Sequence, residues 1–538
     1  MSAPLQPSLP PHSEAFLAEI NAQLKQQLDV ATKELAYAQL KIQVLEERLR
    51  LRRIAKYGPG SEKLSNQQLQ LLEEEPAVSS EEVQAESQRE ALPKPDEKKR
   101  QRRAHPGRQT LPAHLPRVEK IVACTTEQCV CGQCGNATIV IGYDECEVLN
   151  VKPAEYFVEV IKREKRACRQ CEEQGVAMAP LPKRIIEKSL VSDRIIIDTI
   201  VNKYTAHLPL YRQSALLERD CGIEITRATM CGWVMTVGEM LSPVVGAMRK
   251  ELLASGYIQA DETPVDVQTH DAGAPGKRSL LAGVDDKRGK NHQAYLWQYG
   301  TPGGGVVFDF RMSRAREGPK QFLGAFAGIL QSDDYIAYER GLGAPGMVHA
   351  CCWSHARRNF VDAVKLNKQD ADSMRAVELM DKLFLIDAQA REEKMDHAAR
   401  HLLRQEKAPS VLNEIREHIQ TTRQTVLPGS KAAQACKYTL TLWEKLTRFL
   451  DHPRLELSNN LAENSMRPVA RGRSNWIHIG SPQAGPRVAA ILSVIETCRR
   501  LRVPVRDYLA DILPGLAEMP IQRVAGLTPS AWATKAQS

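Results

Sequence analysis

Three acidic positions stand out by their setting rather than their type. In GYIQADETPVDV a strand-like run leads into Asp261 and Glu262, and in AGILQSDDYIAY another leads into Asp333 and Asp334. In LELSNNLAENSMRP, Ser458 and Asn459 suit a helix start and Glu463 falls one turn in, four residues before Arg467 on the same face. Most of the 65 aspartates and glutamates need be no more than solvated surface, so placement beside apolar strand residues or a helix start carries the signal. Carboxylates are hard donors suited to Mg²⁺. One bridging and two flanking carboxylates hold two such ions about 3.5–4 Å apart, the arrangement that stabilises the attacking and departing oxygens of a phosphodiester. Patterning alone leaves open which member of each acidic pair serves.

A second cluster has different chemistry. Cys131-Gly-Gln-Cys134 and Cys168-Arg-Gln-Cys171 are two C-x-x-C knuckles joined by the strand-like TIVIGY and YFVEVIKRE. Four thiolates so spaced suit one tetrahedral Zn²⁺ and leave no open position, so the ion would be structural. Cys124 and Cys129 lie close enough in sequence to replace a ligand, and the plain alternative is four unmetallated thiols. Thirteen cysteines, with no basic-then-apolar leader in MSAPLQPSLPPHSEAF, fit reduced or metal-bound thiols and a cytoplasmic protein.

The elements needed to position these groups can be read around them. Residues 253–365 carry three strands, a helix, then two strands each leading into helix. That is the order of a ribonuclease-H-like sheet, in which Asp261 on the first strand and Asp333 at the end of the fourth are neighbours. Residues 366–452 lack strand patterning and read as a helical insertion, and 453–515 return to the core with Glu463, before a tail at 516–538. Upstream, 183–252 is helical, with a turn before Thr226 that gives a helix-turn-helix-like order and residues 226–240 as recognition helix. The alternative there is a plain helical hairpin in a core. A zinc-binding β module is expected at 118–182 and a linker, acidic then basic, at 54–117. Lys98, Lys99, Arg100, Arg102, Arg103 and Arg108 in that linker either neutralise phosphates or pair with the acidic run before them. Residues 14–53 repeat Leu17, Leu24, Ala31, Ala38 and Leu45 every seven, with Asn21, Leu28, Leu35, Ile42 and Leu49 offset by four. Read as a coiled-coil seam, it puts Asn21 in the core and leads to the expectation of a homo-oligomer; the alternative is one long helix lying on the body of the same chain. The whole chain thus reads as multidomain α/β. Its net charge of +8 permits nucleic acid without proving it, and no uncharged apolar run of eighteen residues predicts a membrane span.

At this point the chain resembles the transposases of the insertion sequence sixty-six family, often called TnpC. The resemblance rests on GSEKL at 60–64, LPAHLPR at 111–117, the two cysteine knuckles, KYTAHLPLYRQ at 203–213 and ADETPV at 260–265. It continues through LQSDDYIAY at 330–338, CWSHARRNF at 352–360, SNNLAENSMRP at 458–468 and IETCRRLRVPVRDYL at 495–509. It implies a DDE mechanism with Asp261, Asp333 and Glu463 as catalytic and metal-binding residues, Glu262 and Asp334 being runners-up. Two Mg²⁺ or Mn²⁺ ions, double-stranded DNA as inverted repeats and target, a nucleoid location and element-encoded accessory proteins follow as expectations. It also implies a Cys-x-x-His after the fifth strand, here Cys352 and His355, where His355 either touches a phosphate or orients a metal-bound water, or is simply packed at a strand-helix junction; Asn460 and Arg467 are further accessory candidates. Two departures matter: Asp334 replaces the family's usual glycine, and Ser474 replaces a lysine, so Arg471 and Arg473 are expected to make the phosphate contacts. The rival readings are a DNA-binding regulator with an inactive core and a nuclease or resolvase acting on branched DNA.

Overall fold

Side chains alternate between the two faces of a strand, and that rule builds the centre of this protein. The computed structural model describes residues 21–22, 24–32, 117–118, 121, 129, 133, 136–137, 140, 143, 156–167, 176–268, 292–333, 335–338, 342–476 and 478–537. They fall into two units, residues 94–181 and the remainder. In the smaller unit β1 (Lys165–Ala167) pairs antiparallel with β2 (Val176–Met178), and Ala167 faces Val176 across the pair. The second cysteine knuckle lies in the connection between these strands. All four proposed zinc ligands and the basic run at 98–108 lie outside the described residues. Of the heptad segment, 21–22 and 24–32 are described and helical, with Leu24 and Leu28 exposed.

The larger unit is built on a five-stranded sheet: β3 (Tyr257–Val267), β4 (His292–Gly300), β5 (Val306–Arg311), β6 (Ile329–Ser332) and β7 (Val348–Cys351), in the order β5-β4-β3-β6-β7. β3, β4 and β5 are antiparallel, whereas β6 runs parallel to both β3 and β7. Contrary to the expectation that the first strand ends at its acids, β3 continues to Val267, because pairing with β4 runs on from Glu262 opposite Trp297 to Val267 opposite His292. On the other side β6 pairs only as far as Gln259. Beyond that point, among the described residues, no strand pairs with one edge of β3 until Val267 bridges Ile479, and that edge is bare. Pro264, which has no amide hydrogen to donate, sits on this edge.

Ile258, Ala260 and Leu330 join a core with α1 (Asp193–Tyr204), α2 (Leu210–Cys221), α3 (Arg227–Ala254), a later helix α11 (Ala484–Arg500) and α12 (Val505–Ile512). Residues 183–252 therefore share the core of the sheet rather than standing apart. Thr226 caps α3, accepting from the Thr229 amide, but the helix runs 28 residues and buries Trp233, Val237, Leu241, Val244 and Met248. By length and composition α3 could cross a membrane, yet these residues pack in the core. Gly238 lies so close to α11 that an added Cβ would sit 2.7 Å from the Arg487 carbonyl oxygen.

Tyr257, Ala350 and Cys351 belong to a second core with α5 (Trp353–Leu366) and the inserted α6 (Ala371–Glu392), α7 (His397–Thr425), α8 (Lys431–Thr441) and α9 (Trp443–Thr447). α4 (Glu317–Leu323), which precedes β6, adds Phe322 and Leu323 to the first core, and α10 (Asn460–Trp476), which follows the insertion, adds Met466 and Val469. β6 leads not into an α-helix but into a 3-10 turn at Ile336–Tyr338, since Gly341, Gly343, Pro345 and Gly346 follow. The expected C-terminal tail is helical and packed over residues 516–537: α13 (Ile521–Val524) buries Val524, and in α14 (Pro529–Gln537) the Trp532 indole donates to Asp511.

Candidate active site

Asp261 lies where β3 loses β6 as a neighbour. Parity puts it on the face of Tyr257 and Gln259, and puts Glu262 on the opposite face with Ile258 and Ala260. The parallel register pairs Gln259 with Gln331, so Asp333, one residue past β6, follows on beside Asp261. Asp333 Oδ1 accepts the Tyr335 amide at 3.2 Å, closing a short turn.

Glu463 is brought to the same place by side chains that tie its segment to the sheet. Gln259 Nε2 donates to the Ser458 carbonyl at 3.1 Å, and Gln331 Nε2 to that of Glu456 at 2.7 Å. The Glu456 amide donates to Tyr257 Oη, and the Asn459 amide to Cys352 Sγ, both at 3.1 Å. Asn459 Nδ2 reaches the bare-edge carbonyl of Ala260 at 2.9 Å, while the Asn459 carbonyl accepts from the Ala462 and Glu463 amides and so opens α10. Arg473, at the other end of α10, donates to Thr263 Oγ1 and to the edge carbonyl of Pro264. The expected phosphate contact of Arg473 is therefore taken up within the protein, whereas Arg471 is exposed.

Charge is distributed unevenly over the acids. Burial, then the negative charges of Glu463, Glu262 and Asp333, hold the Asp261 carboxyl well above the usual aspartate range, with His355 acting against them. Among the described residues no cation pairs with it. Glu262 has partners: Arg314 donates Nε to it at 2.9 Å and Tyr338 donates its hydroxyl at 3.0 Å. Glu463 lies 3.0 Å from Arg358 Nη2 and 3.3 Å from His355 Nε2; against the effect of burial, Arg358 and then His355 keep it below the usual glutamate value. The same neighbourhood outweighs burial at His355, where Cys352 and Glu463 raise the imidazole to about 10. Arg358 was missed in the sequence, although its position three residues after His355 on a helix was the available signal.

Asp261, Asp333 and Glu463 thus come within electrostatic reach of one another. As the side chains stand, no group of three His, Cys, Asp or Glu among the described residues is gathered closely enough to hold a metal ion. The chemistry of the set still fits one: several carboxylates around a half-buried, cation-poor Asp261 are the electrostatic arrangement that divalent ions relieve. Asn460 opens α10 and Arg467 lies one turn beyond Glu463 on it.

Comparison with known proteins agrees on one family. A family model described as "Transposase IS66 family" matches residues 188–487. Two shorter ones, "Transposase C of IS166 homeodomain" and "zinc-finger binding domain of transposase IS66", match 44–119 and 128–172. Uncharacterized protein y4qI of Sinorhizobium fredii is 31% identical over 88% of this chain and 86% of its own length. Uncharacterized protein y4hP of the same organism is 29% identical over 92% and 88%.

Proposed function

Because the chain belongs to the IS66 family of transposases, we propose that it binds the inverted-repeat ends of an insertion sequence and catalyses strand cleavage and strand transfer at Asp261, Asp333 and Glu463. The observation that carries this reading is the bare edge of β3, where the β3–β6 register and the bonds from Asn459 and Gln259 draw the three acids toward one point. The sheet order, with three antiparallel strands and two parallel ones, supports a ribonuclease-H-like core.

Asp261, Asp333 and Glu463 would hold two Mg²⁺ or Mn²⁺ ions, which when bound stabilise charge on the attacking and departing oxygens. The remaining roles fall to the protein's own groups. Arg314 and Tyr338 engage Glu262 and keep it out of competition. Arg358 and His355 orient Glu463, and Cys352 fixes both His355 and the Asn459 amide. In the first step water attacks phosphorus and the P–O3′ bond breaks, leaving a 3′-hydroxyl. In the second that hydroxyl attacks a target phosphodiester: a new P–O3′ bond forms as the target's own P–O3′ bond breaks, and the proton given up by the attacking hydroxyl is balanced by one taken up by the departing 3′-oxygen.

Further parts of the reading rest on the N-terminal third. The zinc-finger match supports a structural Zn²⁺ on Cys131, Cys134, Cys168 and Cys171. The homeodomain match spans Lys98 to Arg108 and supports DNA contact there, with the chain acting on nucleoid DNA in the cytoplasm. Exposed Leu24 and Leu28 support pairing of protomers through the heptads, with element-encoded proteins assisting. Asp261→Asn should abolish Mg²⁺-dependent nicking and strand transfer on linear repeat ends while sparing end binding. Metal-dependent cutting by that variant would sink the assignment. An end-binding wild type that never cuts would favour the regulator instead.

A further inference from the structure

A group of positive side chains lies at the far end of α10 from Glu463. Lys203, in the last turn of α1, has its Nζ 5.9 Å from the ring centroid of Trp476 and 5.4 Å from that of Tyr204. His207 has left-handed backbone (φ 55°), and its Nδ1 lies 3.3 Å from where a Cβ on Gly472 would stand. Arg471, next to Gly472, and Arg227, first residue of α3, are both exposed. Among the described residues none of Lys203, Arg227 and Arg471 has a carboxylate within ion-pair distance. Asp266 acts on His478 at the margin of the group.

Each imidazole also senses the neighbouring positive charges. Burial first, then Arg471, holds His207 below its usual value. Burial holds His478 down too, with Lys203 and Arg227 acting in the same direction against Asp266. Like charges assembled without counter-charge repel one another, and an anion laid across them relieves that cost.

Spacing identifies the anion. Arg471 follows Glu463 by eight residues of one helix, about 12 Å at 1.5 Å per residue. Along a duplex that is about three to four steps of 3.4 Å. A strand whose reacting phosphate sits at the acids can therefore run along α10 and present its next phosphates to this cluster, with the Trp476 ring packed under Lys203.

We propose that Lys203, Arg227 and Arg471, gathered at the Trp476 end of α10, form a backbone clamp for the DNA phosphates three to four steps from the one being cut. The proposal rests on the transposase reading of the acidic site, but a separate readout tests it. The probe is a fluorescent linear duplex of the element's end, bound by the full-length chain in Ca²⁺ to prevent cutting. It is made with natural phosphates, or with neutral methylphosphonates at the third and fourth phosphates on either side of the cleavage point. Arg471→Gln and Lys203→Gln are compared with wild type, with circular dichroism as the folding check.

Wild type should bind the neutralised duplex more weakly than the natural one. Both variants should bind the natural duplex more weakly and respond less to the neutral linkages. The slope of log affinity against log salt should fall by about one for each phosphate that the protein no longer neutralises. Arg471→Gln is the decisive variant, because that side chain is exposed and its removal leaves the core intact. If it keeps wild-type affinity and full sensitivity to the neutral linkages, the clamp is overturned. Failure of the acidic site looks different: Asp261→Asn would still cut in Mg²⁺, whatever the binding curves show.

Discussion

Adjacent residues of a strand point to opposite faces, and in β3 that separates Asp261 from Glu262. Glu262 meets Arg314 and Tyr338, whereas Asp261 meets other carboxylates. Glu262→Gln should therefore leave metal-dependent nicking measurable at a reduced rate, while Asp261→Asn removes it; the reverse ranking in a plasmid-nicking assay would exchange their roles. The raised Asp261 carboxyl also sets a pH dependence. An acid that titrates higher in the folded than in the unfolded chain binds more protons when folded. Its contribution to stability is then lost as pH rises from about its ordinary 3.8 through its folded value. In EDTA, the Tm of wild type should fall across that window more steeply than that of Asp261→Asn, and parallel curves would contradict the burial of this carboxyl.

Among the elements, the insertion does more than lengthen the chain. Arg391 of α6 and Arg400 of α7 each donate to the buried carboxylate of Glu456 at 2.7 and 2.8 Å, and Arg404 donates to the Leu455 carbonyl at 2.7 Å while pairing with Asp387. Burial opposes this charge, yet Arg391, Arg400 and Arg404 bring Glu456 down to about 2. The clamp grips the chain seven residues before Glu463. Glu456→Gln breaks a buried ion pair and should cost about 3–5 kcal/mol, read as a shift in the urea midpoint, and should lower the nicking rate through slack at Glu463. An unchanged midpoint would remove the clamp. This network was not legible in the sequence, because its partners stand 56 and 65 residues from Glu456 and no local pattern marks them. The strands were legible, since apolar periodicity marks β3 to β7, and so was the helical character of the insertion. α3 read as a recognition helix because its capped start matches that motif, while its use in the core depends on packing against α11. Arg473 read as a phosphate contact for a similar reason: whether an arginine meets DNA or an unpaired strand edge is decided by tertiary structure.

For the whole molecule, the resemblance carried domain order and family, and what it left untested becomes the test at this scale. Deleting residues 14–53 should spare nicking of single ends but abolish products in which two ends are joined, with a smaller assembly in sedimentation; a monomeric full-length chain would end the coiled-coil reading. Acid-denatured protein should release about one Zn²⁺ per chain, absent when Cys131 and Cys168 become Ser. The interleaving of distant segments at the bare edge of β3 has a consequence for synthesis. Asn459 completes an edge first laid down at Ala260, 199 residues earlier. At roughly 5–20 residues per second the ribosome needs about 10–40 s to cover that distance. A nascent chain that has not yet reached Asn459 therefore carries the first two acids of the proposed site without the third.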